Sequence, residues 1–457
     1  MGSVANLTDP LEGLLRRRFA LFTDQAWRLP PRQRLLLLRR RDPSWYLADA
    51  LASTQTGAAQ LALALRLNTQ GLLQELQREQ RHTGTLAASM PPRRWITPAE
   101  VSAALPAGAV LIEIRRFLDP ARIPKEPGAP LPWRYRAYVL DDRGRVKVVE
   151  LGAQSTLESL VRRAYTATAE QLSDAPERWA ELSSVLLKPL RATVAEASTW
   201  FIVPDAGLHQ VPFQALLPER NVRLLSTGRD LLRLQQQQNA TSAAAAVVAG
   251  NPAISKPLAA SSLEVKGIAR MLGATALEGS AFNRALMQQL NRPRVLHLAT
   301  HGFWQDQSMG DRARSINPSP AQDPMLRSGI VLSNDDRFSA AEFLNLDLST
   351  TQLVSLSGCS TGLGDLHDSE GLYGLQRGIQ VAGARAVLTS LWPVDDAATS
   401  DWMLRYYDQL SQGHGRADAL AAVQAAFRNH PKAEWRHPYF WAGWQLVGDW
   451  RPLAGQP

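Results

Sequence analysis

The 457-residue sequence contains one cysteine, Cys359. A single cysteine cannot form an intramolecular disulfide and cannot build a cysteine-based metal site, so a disulfide-stapled scaffold and a zinc finger are both excluded. The scarcity of thiols favours a reducing compartment, and we expect a cytoplasmic location.

Long apolar runs are also missing. No stretch approaches the roughly 18–20 continuous apolar residues that a membrane-spanning helix requires. The first residues, MGSVANLTDPLEGLLRRRFALF, carry acidic residues early and have no unbroken apolar segment, so we expect no secretory signal. The sequence therefore predicts a soluble protein without a membrane span.

Acidic residues are fewer than basic ones, and the net charge is +8. The densest basic clusters lie at 14–22 (LLRRRFALF) and 32–45 (RQRLLLLRRRDPSW). Such clusters suit an acidic partner, but they also suit a solvated helix face whose arginines flank a leucine stripe. No zinc spacing, aromatic-basic ribonucleoprotein pattern or helix-turn-helix signature accompanies them, so we favour the helix face. Nucleic acid is not favoured as a partner, and docking of a protein on these helices stays open.

The chain divides into three regions. Residues 1–95 are predicted to be helical, because 55–82 carries apolar residues at helical spacing; no clean 34-residue repeat is present. Residues 96–240 begin with short β-rich runs, continue through a helical stretch at about 156–197, and include the buried strand of TWFIVPD. The segment LQQQQNATSAA at 234–244 predicts a boundary, after which residues 241–457 form the third region.

The third region alternates apolar strands with helices. AAAVVAGNP, RVLHLATHG, QLVSLSGCS and ARAVLTSLW are continuous apolar runs separated by helix-length segments. This pattern is typical of a parallel sheet that helices cover on both faces, in an α/β domain. Ligands of such sheets bind beyond the carboxyl ends of the strands.

Two of these strands end in residues that can do chemistry. One strand runs out at His301-Gly302 and another at Gly358-Cys359. Neighbouring strands are about 4.8 Å apart, so these residues come within reach if the strands are adjacent. An imidazole can take the proton of a thiol, and the amides of Gly302 and Cys359 suit an oxyanion hole.

Simpler interpretations compete with this one. A lone cysteine on an apolar strand is often an inert core residue. His297 lies within the strand body and is interpreted as structural. From the residues alone, the pattern predicts at most a Cys-His hydrolase whose substrate is a peptide, an ester or a thioester.

A family resemblance narrows these possibilities. HLATHGFW at 297–304 resembles the histidine motif of CHAT domains, which are caspase-like peptidases often found behind tetratricopeptide repeats. The segments at 326–365, 369–410 and 437–450 resemble the family's cysteine motif, the following helix and strand with a Trp-x-Val-x-Asp turn, and its closing strand, in that order. The resemblance covers about 96–450, and the helical region looks like a short remnant of the repeat array.

The resemblance implies a caspase-like parallel or mixed sheet, with a non-catalytic, protease-like half (96–240) packed on a catalytic half (241–457). It implies that Cys359 is the nucleophile, that His301 is the general base and acid, and that the amides of Gly302 and Cys359 form the oxyanion hole. It implies peptide-bond hydrolysis through an acyl-enzyme, with no metal and no organic cofactor. Its members act in bacterial signalling and defence, so we expect a protein substrate and an activating protein partner.

Specificity is predicted less directly. By resemblance to separase, an acid in the turn SLWPVDDAATSD faces the side chain that precedes the scissile bond, so Asp395 or Asp396 would favour Arg or Lys there. Either acid could instead cap the helix that follows. Asp365, after the cysteine, is a further candidate for the same pocket.

Two other functions remain open. The fold could serve as an adaptor with an idle dyad, or the dyad could hydrolyse acyl-thioesters. The polar segment between His301 and Met325 is predicted to act as a lid.

Overall fold

A computed structural model describes most of the chain. The described residues are 8–30, 33–34, 37, 43–52, 57–83, 93–124, 126, 128–237, 244–304, 323–358, 364–367 and 371–455.

The described elements are numbered here in chain order. The α-helices are α1 (Thr8–Arg28), α2 (Pro43–Leu51), α3 (Ala58–Thr69), α4 (Leu72–Thr83), α5 (Pro98–Ala103), α6 (Gln154–Ala169), α7 (Ala175–Leu186), α8 (Lys188–Thr193), α9 (Phe213–Leu216), α10 (Asp230–Gln236), α11 (Ser261–Leu272), α12 (Arg284–Gln288), α13 (Pro324–Arg327), α14 (Ala340–Phe343), α15 (Leu375–Val381), α16 (Asp396–Ser411) and α17 (Arg416–Arg428). The strands are β1 (Ala109–Leu118), β2 (Trp133–Asp141), β3 (Val146–Ala153), β4 (Thr199–Val203), β5 (Asn221–Leu224), β6 (Val247–Pro252), β7 (Ala276–Gly279), β8 (Val295–Ala299), β9 (Gly302–Trp304), β10 (Ser328–Val331), β11 (Arg337–Ser339), β12 (Leu353–Ser357), β13 (Gly364–His367), β14 (Gly371–Gly374), β15 (Ala386–Ser390) and β16 (Trp444–Gly448).

One 11-stranded sheet runs through the described residues, in the order β3-β2-β1-β4-β5-β16-β15-β12-β8-β6-β7. Strands β15, β12, β8 and β6 are mutually parallel, as the apolar runs predict, and β7, which the sequence did not indicate, is parallel to β6. Strand β16 lies antiparallel to β15 and parallel to β5, so the strand direction changes between β15 and β16. The carboxyl ends of β1, β4 and β5 therefore lie at the opposite edge from those of β8 and β12.

The two predicted halves share this sheet. Val447 in β16 pairs with Leu224 in β5, which joins the strands of 96–240 to those of the second half. The mixed α/β fold with a large, mostly parallel sheet is confirmed. The predicted boundary near residue 240 falls at 238–243, outside the described residues, and the three-region division stays a prediction.

Both faces of the sheet are covered. Val110 and Ile112 of β1 belong to one apolar core, whereas Leu111 between them belongs to another. In β8, Val295 and Leu296 divide between two cores in the same way. Because side chains alternate along a strand, these cores lie on opposite faces of the sheet.

The N-terminal helices are attached through a buried ionic contact. The Arg66 side chain on α3 is fully buried, and its Nε and Nη1 atoms each lie 3.2 Å from a carboxylate, Glu113 Oε2 and Asp205 Oδ2. Burial raises the pKa of Glu113 although Arg66 opposes it, and the pKa of Asp205 is lowered because Arg66 and the amide of Arg116 outweigh burial. The N-terminal helices thus share a core with the first half of the sheet.

Two details refine the sequence predictions. The helical stretch expected at about 156–197 is three helices, α6, α7 and α8. On α1, the arginines at 16–18 are exposed whereas Leu15 and Phe19 are buried, which is the solvated helix face favoured for this basic cluster.

Candidate active site

Strands β8 and β12 are direct neighbours, and their carboxyl ends lie side by side. They are parallel, with Ser357 paired to Ala299. Beyond these residues, the amide of Thr300 donates to Ser357 O at 3.0 Å. The chain segments that lead into His301 and Cys359 therefore leave the sheet together, as the two strand ends predict.

Gly358 lies tightly against the end of β8. A Cβ atom at this position would lie 2.0 Å from Thr300 O and 3.4 Å from Gly302 N. Its carbonyl accepts a 2.8 Å hydrogen bond from the buried Ser390 hydroxyl at the end of β15. Three strand ends therefore converge on one glycine, which must lack a side chain for the backbones to approach so closely. Cys359, the next residue in the chain, lies outside the described residues.

The ring of His301 is half-buried at this edge. Its Nε2 atom lies 2.8 Å from Lys256 O in the loop after β6. A carbonyl oxygen only accepts, so Nε2 carries the proton of this bond and Nδ1 is the basic nitrogen of the neutral ring. The backbone is fixed as well, because His301 O accepts from Val331 N at 2.9 Å.

Gly302 begins the small antiparallel sheet of β9, β10 and β11. It pairs with Ile330 of β10, and its nitrogen is close to Gly358. The segment predicted as a lid includes this strand, but 305–322 lies outside the described residues.

The two acids of the turn after β15 have different contacts. Asp395 caps α16, because its Oδ1 accepts from Ala398 N at 2.8 Å. Asp396, the first residue of α16, accepts from Ala260 N at 2.8 Å through Oδ2. Asp396 also lines a pocket with His301, whereas Asp395 does not.

This pocket lies directly beside the strand ends. It encloses about 280 Å³, part of it open to solvent. Its lining residues are Leu258, Ser261, Glu264, Thr300, His301, Ser357, Gly358, Val394, Asp396 and Thr399. It is thus a small, partly acidic pocket next to the candidate base.

Glu264 is an acid that the sequence motifs do not indicate. It lies on α11 and is almost fully buried, with Oε1 3.0 Å from His297 Nε2. The Tyr407 ring packs edge-on against His297, and its hydroxyl lies 3.0 Å from Ser355 Oγ. The signal available in the sequence is a charged residue on the apolar stripe of α11, next to Val265 and one turn before Ile268.

The remaining predicted residues divide as follows. Asp365 lies in β13 opposite Tyr373 of β14. His297 is buried in β8, as its interpretation as structural requires. His209, in the turn Ala206–Gln210, has its pKa lowered to about 4 by burial, which the nearby Asp205 only partly opposes.

Metal binding and membrane spanning are two further properties that the described residues bear on. Within the described ranges, no group of three or more His, Cys, Asp or Glu side chains is placed to hold a metal ion. None of the described helices is long and apolar enough to cross a membrane.

Comparison with known proteins identifies the family. The sequence profile of the CHAT domain matches residues 177–449. Tetratricopeptide repeat protein 28 of Homo sapiens is 25% identical over 295 residues, which cover 58% of this chain and 11% of that protein. The Mus musculus protein of the same name is 26% identical over 249 residues, covering 48% of this chain and 10% of that protein. The chain thus spans about a tenth of the length of these relatives, and a bacterial setting stays a prediction.

Solved structures show the fold. Separase, in its Saccharomyces cerevisiae complex with securin, aligns with a TM-score of 0.55 and 9% identity over 96% of this chain and 40% of that chain. The Arg-specific cysteine proteinase gingipain R aligns with a TM-score of 0.37 and 12% identity over 66% of this chain and 76% of that chain, which is too weak to support an argument. Residues 96–176, which precede the profile match, complete the sheet that aligns with separase. Because the profile matches more than half of the sequence, this protein belongs to the CHAT domain family.

Proposed function

We propose that this protein is a cysteine endopeptidase that cleaves a partner protein, with Cys359 as nucleophile and His301 as general base and acid. The observation that carries the proposal is the close approach of Gly358 to the backbone of Thr300 and Gly302. Cys359 follows Gly358 directly in the chain, and His301 follows the end of the adjacent strand β8. A thiol and an imidazole at adjacent strand ends are the parts that a Cys-His dyad requires.

In the proposed mechanism, the thiol proton of Cys359 passes to His301 Nδ1. The thiolate attacks the carbonyl carbon of the substrate, a C–S bond forms, and the carbonyl electron pair moves to oxygen. The amides of Gly302 and Cys359 donate to this oxyanion. When the C–N bond breaks, the imidazolium gives its proton to the leaving amine and an acyl-enzyme remains.

Hydrolysis of the acyl-enzyme completes the cycle. His301 takes a proton from a water molecule while the water oxygen attacks the acyl carbon. The C–O bond forms, the C–S bond breaks, and His301 returns the proton to the sulfur of Cys359. The hydrogen bond from Nε2 to Lys256 O supports this role, because it orients the ring and leaves Nδ1 as the basic nitrogen. The chemistry needs neither metal nor cofactor.

We further propose that the side chain preceding the scissile bond enters the pocket beside His301 and is basic. The pocket contains two carboxylates, Asp396 and Glu264, and neither Arg nor Lys among its lining residues. Glu264 is already close to His297, whereas Asp396 is only half-buried, so Asp396 is the carboxylate assigned to an incoming Arg or Lys. Asp395 is assigned to capping α16, and Asp365 remains a further candidate.

The first experiment is cleavage of a peptide library by wild type, Cys359→Ala and His301→Ala. Cleavage by wild type alone is the expected result. Alkylation of Cys359, the only thiol, provides a second measurement if the natural activator is absent. We expect alkylation at least about tenfold slower in His301→Ala, because the imidazole promotes formation of the thiolate. An adaptor with an idle dyad would give no cleavage and equal alkylation rates, and that pair of results overturns the proposal.

The pocket assignment has its own control. Asp396→Asn keeps an oxygen that can accept from Ala260 N, so the fold is preserved while the charge is removed. Cleavage after Arg or Lys should fall about 10- to 100-fold, the worth of a hydrogen bond between charged groups. Asp408→Asn removes an exposed charge from the same helix and should cleave like wild type. Equal cleavage by all three proteins would refute the assignment to Asp396 without touching the dyad.

A further inference from the structure

A second pocket lies where two parts of the chain meet: α4 with the residue before it, and α10 with the turn before it. It encloses about 310 Å³, part of it open to solvent. Its lining residues are Gly71, Gln74, Glu75, Arg78, Ser226, Thr227, Arg229, Asp230 and Arg233. It shares no residue with the pocket beside His301.

The pocket has more positive than negative side chains. Arg78, Arg229 and Arg233 line it, against Glu75 and Asp230. Both carboxylates are already engaged. Glu75 pairs with Arg229 and, at 2.9 Å, with Arg93 from outside the pocket.

The second carboxylate, Asp230, is held by its own turn. Its Oδ2 accepts from the amides of Ser226 and Thr227, and its Oδ1 lies 3.1 Å from Arg233. The direct ion pairs of both acids are thus made with arginines other than Arg78, the third arginine of the pocket.

The pKa values agree with this excess of positive charge. Burial lowers the pKa of Arg78 to about 10, and repulsion from Arg233 adds to the effect. Burial alone would raise the pKa of Glu75, but Arg229, Arg93 and Arg78 outweigh it and lower this pKa to about 2.

Polar atoms in the pocket also lack partners. Arg229 and Thr227 are 7% and 8% exposed, yet Arg229 Nε and Thr227 Oγ1 have no hydrogen-bond partner among the described residues. The hydrogen bonds of Arg78 are long, because its Nε and Nη2 atoms each lie 3.3 Å from Gln380 O on α15. Buried donors without acceptors are rare in folded proteins and indicate a missing partner.

We propose that this pocket binds the phosphate group of a small ligand. Phosphate supplies several acceptor oxygens and more than one negative charge, which matches the guanidinium groups of Arg78 and Arg229 and the hydroxyl of Thr227. Arginine presents donors in a planar fork that binds phosphate in pairs, so the residue type fits as well as the charge. The pocket is a concave cleft between helices, and its size suits a phosphate with a small attached group rather than a membrane surface or a folded partner.

The test uses isothermal titration of the full chain in the Cys359→Ala background, so that its outcome does not depend on peptidase activity. The titrants are inorganic phosphate, pyrophosphate and ATP, with adenosine as the uncharged comparison. We expect saturable binding of at least one phosphate compound and none of adenosine. Binding of inorganic phosphate identifies the free ion as sufficient, whereas binding of ATP alone identifies a nucleotide as the source of the phosphate.

Matched variants then locate the site. Arg78→Gln and Arg229→Gln should each raise the Kd at least about tenfold, because each removes a charged donor. Arg163→Gln removes the same charge from an exposed ion pair with Glu181 on α7 and should leave the Kd unchanged. Circular dichroism of each variant checks that it is folded. No saturable binding of any of the three phosphate compounds, or one Kd shared by wild type, Arg78→Gln and Arg229→Gln, would overturn the proposal.

Discussion

Replacing Gly358 by alanine is the most direct test of the geometry at the strand ends. The added Cβ would lie 2.0 Å from Thr300 O and 3.2 Å from the carbonyl carbon of the same residue. The closest ordinary carbon–oxygen contact is about 3.3 Å, so the two backbones must separate by about 1.3 Å. The clashing atoms belong to the backbone of Thr300 at a buried strand end. Unlike a flexible side chain, they cannot relieve the clash by adopting another rotamer.

The magnitude of the effect follows from this displacement. Separation of that size takes the bond from Thr300 N to Ser357 O, now 3.0 Å, beyond hydrogen-bond range. Overpacking of a tight site costs about 1–3 kcal/mol and a lost hydrogen bond about 1 kcal/mol, so we expect a destabilisation of about 2–4 kcal/mol. A misplacement of about 1 Å between catalytic groups can lower the rate about 100-fold, which is the loss of peptide cleavage we expect.

The assay combines the thermal unfolding midpoint, the rate of peptide cleavage and the rate of alkylation of Cys359. Gly13→Ala is the matched control, because a Cβ there meets only Arg17 Nη1 at 3.8 Å in an exposed part of α1. The control should react like wild type and unfold at or slightly above the wild-type midpoint, because alanine is more favourable than glycine in a helix by about 0.5–1 kcal/mol. A Gly358→Ala protein with wild-type stability and wild-type reactivity would refute the claim that the strand ends are in contact.

Three further changes have defined outcomes. Arg66→Met leaves Glu113 and Asp205 buried without their cation and should destabilise the fold by about 3–5 kcal/mol, measured by chemical denaturation. The pKa of Glu75 is lowered from 4.5 to about 2, so the contribution of its charge to stability is complete above about pH 4.5 and is lost as the pH falls towards 2. Glu75→Gln should therefore reduce the change in the thermal midpoint between these pH values. Ser390→Ala removes the donor to Gly358 O, and we expect a loss of about 1 kcal/mol with slower alkylation of Cys359.

Controls for these changes come from exposed groups. Glu181→Gln removes a carboxylate from a solvent-exposed pair, so its pH profile should match wild type. An Arg66→Met protein as stable as wild type would contradict the assignment of that arginine as the partner of two buried acids. For Ser390→Ala, unchanged stability and unchanged alkylation would show that the hydroxyl does not hold Gly358.

The sequence by itself determined much of the second half of the molecule. Continuous apolar runs predicted the parallel strands β8, β12 and β15, and the break of two of these runs at His301-Gly302 and Gly358-Cys359 predicted their meeting at one edge. These predictions succeed because strand periodicity and glycine are local signals, and because parallel strands necessarily bring their carboxyl ends to the same side.

Only the tertiary structure distinguished Asp395 from Asp396. Both acids precede the same helix, and capping preference alone fits either one. The difference depends on Ala260, which is far away in sequence and whose amide donates to Asp396, whereas Asp395 accepts from the amide of Ala398 and caps the helix.

The tertiary structure also decided which distant segments make pockets. Glu264 reaches the edge of the sheet because α11 packs there, and Glu75 on α4 pairs with Arg229 in the turn before α10. Contacts of this kind carry no periodic or spacing signal, since they are set by how helices dock on the sheet. For that reason the adjacency of the two strand ends was predictable from the sequence, whereas both pockets required the folded chain.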